Sequence, residues 1–256
     1  MTDLSSLAAS RPVTFVGAGP GAAAHLTLGA FQALQHADIV IHDRLVGPEI
    51  LALIPPSVTL IDMGKEGFGP STAQANINAT LVAQALTGAR VVRLKGGDCG
   101  IFGRLDEEIA ALEAAGLTFR ILPGLTAATV AAAEIGQSLT RRGRNASVRI
   151  VTGHDMDGFA EQDWRAMARP GDVTAIYMGK TSARFLQGRL MMHGADATTD
   201  VTLGENVSRD DQRIIACTLA TLPDAVQALA GPAVILYGLA PRHATSALAA
   251  VYEARA

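Results

Sequence analysis

The sequence predicts an α/β protein made of two α/β domains, the first of them built on a parallel, doubly wound sheet. Short apolar segments alternate along the chain with segments of helical periodicity, which is the pattern of strands joined by crossover helices. Alanine and glycine are abundant and aromatic residues make up 4% of the chain, which favours helices packed on sheets through small side chains. With 256 residues, 49% of them hydrophobic, the chain can form one large core or two smaller ones.

The predicted strands of the first half are short apolar runs, typical of a buried parallel sheet. Helical segments separate most of them, and crossovers of this kind are what parallel strands need. The strands are predicted over residues 13–16, 39–41, 58–61, 91–94 and 118–122, and the helices over about 23–37, 72–86 and 105–115.

Pro123-Gly124 interrupts this pattern and indicates a domain boundary. We expect an N-terminal domain over residues 1–124, a connecting helix and basic linker over 125–145, and a C-terminal domain over 146–256. A loop or hairpin between residues 205 and 213 predicts that the second sheet is mixed. In this half, strands are predicted over 148–152, 173–178, 201–205, 213–218 and 233–238, and helices over 126–135, 182–192 and 222–229.

Composition and charge argue against several classes of protein. The net charge is −3 without a Lys/Arg-rich run, whereas a general nucleic-acid binder carries a basic face. No apolar run reaches the ~20 residues that span a bilayer, and residues 1–10 do not resemble a secretion signal, so we expect a cytoplasmic protein without a membrane partner. Cys99 and Cys217 lack metal-ligand spacing and His154 stands alone, so no metal is predicted.

Two glycine-rich loops at strand ends are the first signs of a ligand site. Gly96-Gly97-Asp98 follows the fourth strand, and its bare backbone and carboxylate suit a ligand that approaches the main chain closely. Gly17-Ala18-Gly19-Pro20-Gly21 follows the first strand and, with Ala22, satisfies the G-x-G-x-x-A dinucleotide pattern. Pro20 lacks the backbone N–H that a phosphate cradle would use, so a stiff pocket edge or a plain tight turn are the alternatives.

Charged residues follow other strand ends. Asp43-Arg44 comes directly after the second strand, at the sheet edge where α/β proteins bind ligands, although such a pair is equally common as a surface ion pair. Lys65 follows the third strand and is either an acid/base or carboxylate-binding group or an ordinary surface lysine. Residues 140–144 include three arginines, which suit a substrate with several carboxylates unless the run is simply solvated.

Thr126, Ala127 and Met178 lie at two further strand ends. Thr126 and Ala127 begin the helix predicted after Pro123-Gly124, where they either cap that helix or offer backbone groups to a ligand. Met178 precedes a glycine turn, where it is either a core residue or packs against a flat ligand.

Eight segments stand in a specific order along the chain. They are Gly17-Ala18-Gly19-Pro20-Gly21, Asp43-Arg44-Leu45-Val46, Val92-Arg93-Leu94-Lys95-Gly96-Gly97-Asp98, Phe102-Gly103-Arg104, Pro123-Gly124-Leu125-Thr126-Ala127-Ala128, Ser147-Val148 with Val151-Thr152-Gly153-His154, Tyr177-Met178-Gly179 and Glu205-Asn206. From about residue 12 to 239, their order and spacing resemble those of uroporphyrinogen-III C-methyltransferases. The resemblance implies a tetrapyrrole methyltransferase-like fold of two α/β domains, with S-adenosylmethionine in the cleft between them, in a homodimer. It also implies two methyl transfers to ring carbons of uroporphyrinogen III, through precorrin-1 to precorrin-2, which leads to cobalamin or sirohaem.

The resemblance further implies roles for individual residues. Asp43 matches the proposed proton acceptor and Lys65 the proposed proton donor, and losing a proton from a methylated, cationic ring system is work for a general base. The candidates for cofactor contacts are Pro20, Gly96, Gly97, Asp98, Ile101, Thr126, Ala127, Met178, Val207 and Gly238. The candidates for binding substrate carboxylates are Arg44, Arg93, Arg141 and Arg142, although Arg93 is alternatively a structural residue at a strand end.

The chain departs from the family pattern at several positions. Cys99-Gly100 replaces the usual Pro-Phe, Arg141 replaces a histidine, His42 replaces a tyrosine and Val207 replaces a small residue. These changes affect the local shape expected beside the cofactor and the substrate.

Three other functions are compatible with parts of the pattern. A methyltransferase of the same fold that acts on a later precorrin shares the fold and the cofactor, but Asp43-Arg44-Leu45-Val46 favours the uroporphyrinogen branch. A nicotinamide-dependent oxidoreductase is disfavoured by Pro20 and by the other motifs. A non-catalytic binding module does not account for so many motifs at strand ends.

Overall fold

A computed structural model describes residues 11–64, 74–155 and 158–242. The chain divides into two compact units, and the division falls between Ala127 and Ala128. Lys65, the predicted proton donor, lies outside the described residues.

The first unit contains the predicted parallel sheet. Its strand order is β3-β2-β4-β1-β5, and every pairing between these strands is parallel. The sequence-based prediction of a parallel, doubly wound sheet is therefore confirmed. Among the described residues its elements are β1 (Val13–Gly17), a 3-10 turn (Ala23–His25), α1 (Leu28–Gln35), β2 (Ile39–His42), α2 (Pro48–Ala52), β3 (Thr59–Asp62), α3 (Gln74–Leu86), β4 (Val91–Lys95), α4 (Leu105–Ala114) and β5 (Phe119–Leu122).

Helices cover both faces of this sheet. Successive side chains of a strand point to opposite faces, and neighbours in β1 accordingly belong to different hydrophobic clusters. Val16 packs with Ala30 and Leu34 of α1. Phe15 packs with Leu81 of α3 and, in the same cluster, with residues of α4. The fold therefore presents the carboxyl ends of its strands at one edge between two helical layers.

Two differences from the predicted helices have local causes. The helix predicted over 23–37 is split, because Thr27 is extended and its Oγ1 accepts the Ala30 N–H at 3.1 Å, which starts α1 afresh. Helix α2 was not predicted, since its five residues are too few to show helical periodicity, although Pro48 occupies the first turn as proline commonly does.

The second unit contains a mixed sheet, as the sequence predicts. Its strand order is β11-β10-β12-β9-β6, and β6 with β9 is the parallel pair, while the other pairs are antiparallel. In the described residues the elements are α5 (Ala127–Glu134), β6 (Val148–Thr152), β7 (His154–Asp155), β8 (Gly158–Phe159), α6 (Trp164–Met167), β9 (Val173–Tyr177), α7 (Ala183–Met192), β10 (Asp200–Glu205), β11 (Arg213–Thr218), α8 (Leu222–Ala225), a 3-10 turn (Val226–Ala228) and β12 (Ala233–Tyr237).

The core of the second unit lies between the sheet and helices α6, α7 and α8. Trp164, Leu186, Leu203 and Ile235 are representative of it, each at most 3% exposed. Helix α6 and the β7–β8 hairpin were not predicted from the sequence. Both are too short for a periodic signal, and α6 depends on Asp163, whose Oδ1 accepts the Ala166 N–H at 3.0 Å.

A membrane-spanning helix requires both length and apolar composition. In the part of the chain that the structure describes, no helix combines the two.

Candidate functional site

The loops after β1 and β4 are joined backbone to backbone. The Gly19 N–H donates to the Gly97 carbonyl at 3.0 Å, and the Gly97 N–H donates to the Gly19 carbonyl at 2.7 Å. The Ala18 N–H also donates to the Lys95 carbonyl at 2.8 Å. The two glycine loops that the sequence analysis treated separately thus form one surface at the carboxyl edge of the sheet.

The loop after β5 completes this surface, and glycine is needed where the three loops meet. A Cβ atom on Gly17 would lie 2.5 Å from Gly124 N and 2.8 Å from Gly97 O. Gly97 also has a φ of +71°, a left-handed conformation that glycine adopts without strain. A Cβ on Gly97 would meet no described atom within 4 Å, so the Cα of this residue faces open space.

Asp98 links the loops after β4 and β5. Its Oδ1 accepts the Gly100 N–H at 2.8 Å, and its Oδ2 accepts the Gly124 N–H at 2.9 Å. Both carboxylate oxygens therefore hold the main chain in place. Any contact that Asp98 makes with a ligand would be in addition to this role.

The remaining cofactor candidates of the first unit lie at the same edge. Pro20 is buried directly after Gly19, and Ile101 is half-buried, with its N–H donating to the Asp98 carbonyl at 3.3 Å. Thr126 and Ala127 are half-buried at the start of α5. All four positions follow strand ends, where α/β proteins bind their ligands.

Asp43 and Arg44 extend the edge to β2. Asp43 Oδ1 accepts the Leu45 N–H at 3.1 Å, which is a local turn contact, and the Asp43 side chain is 28% exposed. Arg44 is exposed. A Cβ on Gly96 would lie 2.7 Å from Leu45 Cβ, so the glycine lets the loops after β2 and β4 pack closely.

Arg93 is buried inside the first unit. Its guanidinium donates from Nε and Nη2 to Glu108 at 3.0 and 3.2 Å, and from Nη1 to the carbonyls of Ile41 and Leu94 at 3.3 and 3.1 Å. With a side chain 2% exposed, Arg93 would reach a substrate carboxylate only if this network opened. The geometry favours the structural alternative for this residue.

Lys95 and Glu108 are charged residues that the sequence analysis did not single out. Lys95 Nζ donates to Glu108 Oε1 at 2.6 Å. The pKa of Lys95 is lowered, chiefly by burial and then by the nearby charge of Arg93, while Glu108 acts in the opposite direction. Glu108 is a fully buried acid in the first turn of α4, where Asp106 and Glu107 are exposed, so the sequence position of these three acids did not distinguish Glu108 from the other two.

In the second unit, Met178 stands outward on a left-handed turn. Its φ is +53° and it is 51% exposed, which is unusual for methionine. Gly179 behind it is packed so closely that an added Cβ would lie 2.6 Å from Ile235 Cδ1. His154 Nδ1 lies 3.1 Å from the Met178 carbonyl oxygen and helps to hold the turn. The alternative of Met178 as a core residue is therefore wrong.

Val207 and Gly238, the other candidates of this unit, lie on main-chain turns. Val207 is buried between Asn206 and Ser208, both of which have positive φ. Gly238 has a φ of +84°, donates its N–H to the Asp200 carbonyl at 2.8 Å, and leaves no room for a Cβ beside the Asp172 carbonyl.

The arginine-rich segment is a compact turn. Arg144 Nη2 donates to the Ser138 and Leu139 carbonyls at 2.7 and 3.2 Å, so this side chain supports the loop. Arg141 and Arg142 are exposed on the turn. A ligand with several carboxylates could therefore reach Arg141 and Arg142, whereas Arg144 is engaged within the loop.

Neither cysteine has the environment of a reactive thiol. Cys99 is fully buried, and burial, aided by the charge of Asp98, raises its pKa to about 11. Burial also raises the pKa of Cys217. Within the described ranges there is no group of three or more His, Cys, Asp or Glu side chains that could hold a metal ion.

Comparison with a family model identifies relatives of the chain. Residues 12–223 match the family described as Tetrapyrrole (Corrin/Porphyrin) Methylases. This match covers most of both units.

Individual proteins of similar sequence are named siroheme synthases. That of Edwardsiella ictaluri is 44% identical over 227 residues, which are 88% of this chain and 49% of that protein. That of Nitrosococcus oceani is 41% identical over 228 residues, again 88% of this chain and 49% of that protein. The chain spans about half the length of these curated relatives.

Solved structures share the fold. A uroporphyrin-III C-methyl transferase from Thermus thermophilus, complexed with S-adenyl homocysteine, is 31% identical with a TM-score of 0.77, covering 89% of this chain and 97% of that one. A cobalt precorrin-4 methyltransferase superposes with a TM-score of 0.78, and at 23% identity this likeness concerns the fold alone. Sequence, fold and strand-edge loops agree, and the chain belongs to the tetrapyrrole (corrin/porphyrin) methylases.

Proposed function

We propose that this protein transfers two methyl groups from S-adenosylmethionine to ring carbons of uroporphyrinogen III, forming precorrin-1 and then precorrin-2. The observation that carries the proposal is the edge of the first unit, where three glycine loops lock together beside Asp43 in a chain of the methylase family. The similarity to a uroporphyrin-III C-methyl transferase supports this substrate.

The residues at this edge fit S-adenosylmethionine. The three loops leave open space beside Gly97, where no side chain blocks a ligand from approaching the edge of the sheet. The similar Thermus thermophilus protein was solved with S-adenyl homocysteine, which supports the same choice. We assign the cofactor contacts to Pro20, Gly96, Gly97, Asp98, Ile101, Thr126, Ala127, Met178, Val207 and Gly238.

The cofactor supplies a methyl group already activated on a sulfonium sulfur, so the protein mainly has to position the accepting carbon and manage a proton. Asp43 is the proposed general base, because it is the partly exposed carboxylate at the edge where β2 ends. Arg44, Arg141 and Arg142 are exposed and are proposed to bind carboxylates of the substrate. Lys65 remains the proposed proton donor.

A second candidate is a methyltransferase of the same family that acts on a later precorrin. The fold likeness to a cobalt precorrin-4 methyltransferase is compatible with it. The siroheme synthase relatives favour the earlier step, with a product used for sirohaem or cobalamin. We further propose that the protein is cytoplasmic and that it forms a homodimer; light scattering of the purified protein would test the homodimer.

The deciding experiment is a product assay under anaerobic conditions. The protein is incubated with uroporphyrinogen III and S-adenosylmethionine carrying a ¹³C-labelled methyl group, and the product is examined by mass spectrometry and ¹³C NMR. We expect two labelled methyl groups on ring carbons and two molecules of S-adenosylhomocysteine per product.

One control variant makes the assay specific, and one outcome would contradict the proposal. Asp43→Asn should bind S-adenosylmethionine with nearly normal affinity by calorimetry while turning over slowly. A wild-type protein that binds S-adenosylmethionine but leaves uroporphyrinogen III unmethylated would contradict the proposal and favour the later precorrin.

A further inference from the structure

Four charged side chains meet on the face of the first sheet that α3 and α4 cover. They are Asp43, Arg93, Lys95 and Glu108, two carboxylates and two cations. We call them the charge quartet. Three of them are buried, with side chains at most 5% exposed, and Asp43, at 28%, is the member that reaches the surface.

The strand register explains why these residues meet. Ile41 of β2 pairs with Arg93 of β4, and side chains two residues apart on a strand share a face. Asp43 therefore follows Ile41 on the same side as Arg93 and Lys95. Glu108 reaches this side from α4, the helix that packs there with α3.

Glu108 is the hydrogen-bond acceptor for both buried cations. It accepts two hydrogen bonds from Arg93 and one from Lys95, at 3.0, 3.2 and 2.6 Å. The remaining Arg93 nitrogen is directed to the main-chain carbonyls of Ile41 and Leu94. Arg93 is thereby fixed from three sides.

Asp43 stands just outside this arrangement. Its Oδ2 lies 3.9 Å from Arg93 Nη2, which is too long for a hydrogen bond. Its Oδ1 is held by the Leu45 N–H at 3.1 Å. The carboxylate of Asp43 is thus near a cation but is not hydrogen-bonded to it, whereas Glu108 accepts hydrogen bonds from both Nε and Nη2 of the same guanidinium.

We propose that Glu108 is a positioning residue for Asp43: by holding the Arg93 guanidinium, it keeps the Asp43 carboxylate out of a tight buried ion pair and available at the strand edge. This rests on the proposed role of Asp43 as general base. Without the charge of Glu108, Asp43 would be the sole carboxylate beside two cations and would be drawn inward by about 1 Å, since charge-assisted N–H···O contacts settle near 2.8 Å.

The first test uses Glu108→Gln, which keeps the shape of the side chain and removes its charge. We expect kcat to fall at least tenfold, with the substrate KM and the S-adenosylmethionine Kd within about twofold of wild type. Glu113→Gln, at an exposed position of the same helix, is the matched control and should leave kcat unchanged.

A double-mutant cycle separates positioning from general loss of structure. If Glu108 acts through Asp43, then Asp43→Asn/Glu108→Gln should be no slower than Asp43→Asn alone. Rate losses that multiply would overturn the inference. Should Glu108→Gln not fold, Arg93→Lys replaces it in the same cycle: lysine keeps the charge but cannot reproduce the two-nitrogen contact with Glu108, and we again expect a fall in kcat that is absent in the Asp43→Asn background.

A stability cycle distinguishes failure of this inference from failure of the proposed function. If the wild-type protein does not methylate uroporphyrinogen III, the proposed function fails, but the quartet can still be tested by thermal unfolding. We expect Glu108→Gln to lower Tm more in the Asp43→Asn background than in wild type, because no carboxylate then remains beside Arg93 and Lys95. Tm losses that simply add would show that Asp43 and Glu108 are not coupled.

Discussion

The carboxylate of Asp98 accepts the main-chain N–H of Gly124 across two loops, at 2.9 Å, while its other oxygen holds Gly100. From the sequence, Asp98 is predicted to contact a ligand. In the structure its carboxylate also holds together the loops that follow β4 and β5. The shape of the surface formed by Gly17, Gly97 and Gly124 depends on it.

Replacement of Asp98 should therefore affect stability as well as cofactor binding. Asp98→Asn has one acceptor in place of two, so either Gly100 or Gly124 loses its partner, at a cost of about 1–3 kcal/mol of unfolding free energy. We expect the S-adenosylmethionine Kd to rise about tenfold or more, equivalent to ~1.4 kcal/mol. Urea unfolding and calorimetry measure the two effects. Asp210→Asn, at an exposed position, is the control. A normal Kd and a normal stability in Asp98→Asn would contradict the role of Asp98 in holding the two loops together.

Glycine substitutions should separate close packing from backbone strain. Gly17→Ala would place a Cβ 2.5 Å from Gly124 N, so we expect a loss of about 1–3 kcal/mol together with weakened cofactor binding. Gly97→Ala meets open space and should lose only about 1 kcal/mol, from its positive φ. Gly29→Ala, on α1 with open space around it, should be neutral or stabilising by up to ~1 kcal/mol. Denaturant unfolding of the three variants checks this order, and equal losses would refute it.

The buried thiol of Cys99 should give the protein a specific sensitivity to alkali. Its pKa is raised by burial to about 11, from a usual value of 9.0, so between about pH 9 and 11 the unfolded chain has lost a proton that the folded chain keeps. Stability must then fall as pH rises through this window. We expect the loss between pH 8 and 10 to be smaller in Cys99→Ala by on the order of 1 kcal/mol. Unfolding of both proteins at the two pH values tests this, since the packing cost of the substitution is common to both.

Substitutions in the arginine-rich turn at residues 140–144 should have two different effects, one on substrate binding and one on stability. Arg141→Glu or Arg142→Glu should raise the substrate KM about tenfold or more and leave the S-adenosylmethionine Kd unchanged, because these exposed side chains are placed to meet substrate carboxylates. Arg144→Ala should instead lower Tm, because its guanidinium supports the Ser138 and Leu139 carbonyls.

Steady-state kinetics and thermal unfolding separate these outcomes. Arg184→Glu, an exposed charge reversal on α7, is the control for a general change in charge. If it raised KM as much as Arg141→Glu, the turn would have no special role in binding the substrate.

Much of the fold follows from local sequence. Strands β6 and β11 begin and end at the predicted residues, because apolar runs bounded by polar or glycine residues determine strands directly. Helices α2 and α6 are not predicted from the sequence, because four or five residues are too few to show helical periodicity. Such short helices depend on capping residues and on tertiary contacts.

The sequence predicts which residues lie near the candidate site but not which of them are buried. The strand-end position of Asp43 and the glycine loops could be inferred, because the carboxyl ends of parallel strands share one sheet edge. The burial of Arg93 could not, since it depends on Glu108 arriving from α4, fifteen residues along the chain. The outward turn of Met178 likewise depends on Gly179 being packed against Ile235 of another strand.

The sequence by itself determined the α/β class, the parallel first sheet and the family resemblance, because apolar periodicity and glycine spacing are local properties of the chain. The tertiary structure decided which charges face solvent and which face each other. In the structure Asp98 holds two loops together, Arg93 is buried against Glu108, and Asp43 lies at the surface. The physical reason is that the role of a charge depends on its burial and its nearest partners, and residues distant in sequence supply both.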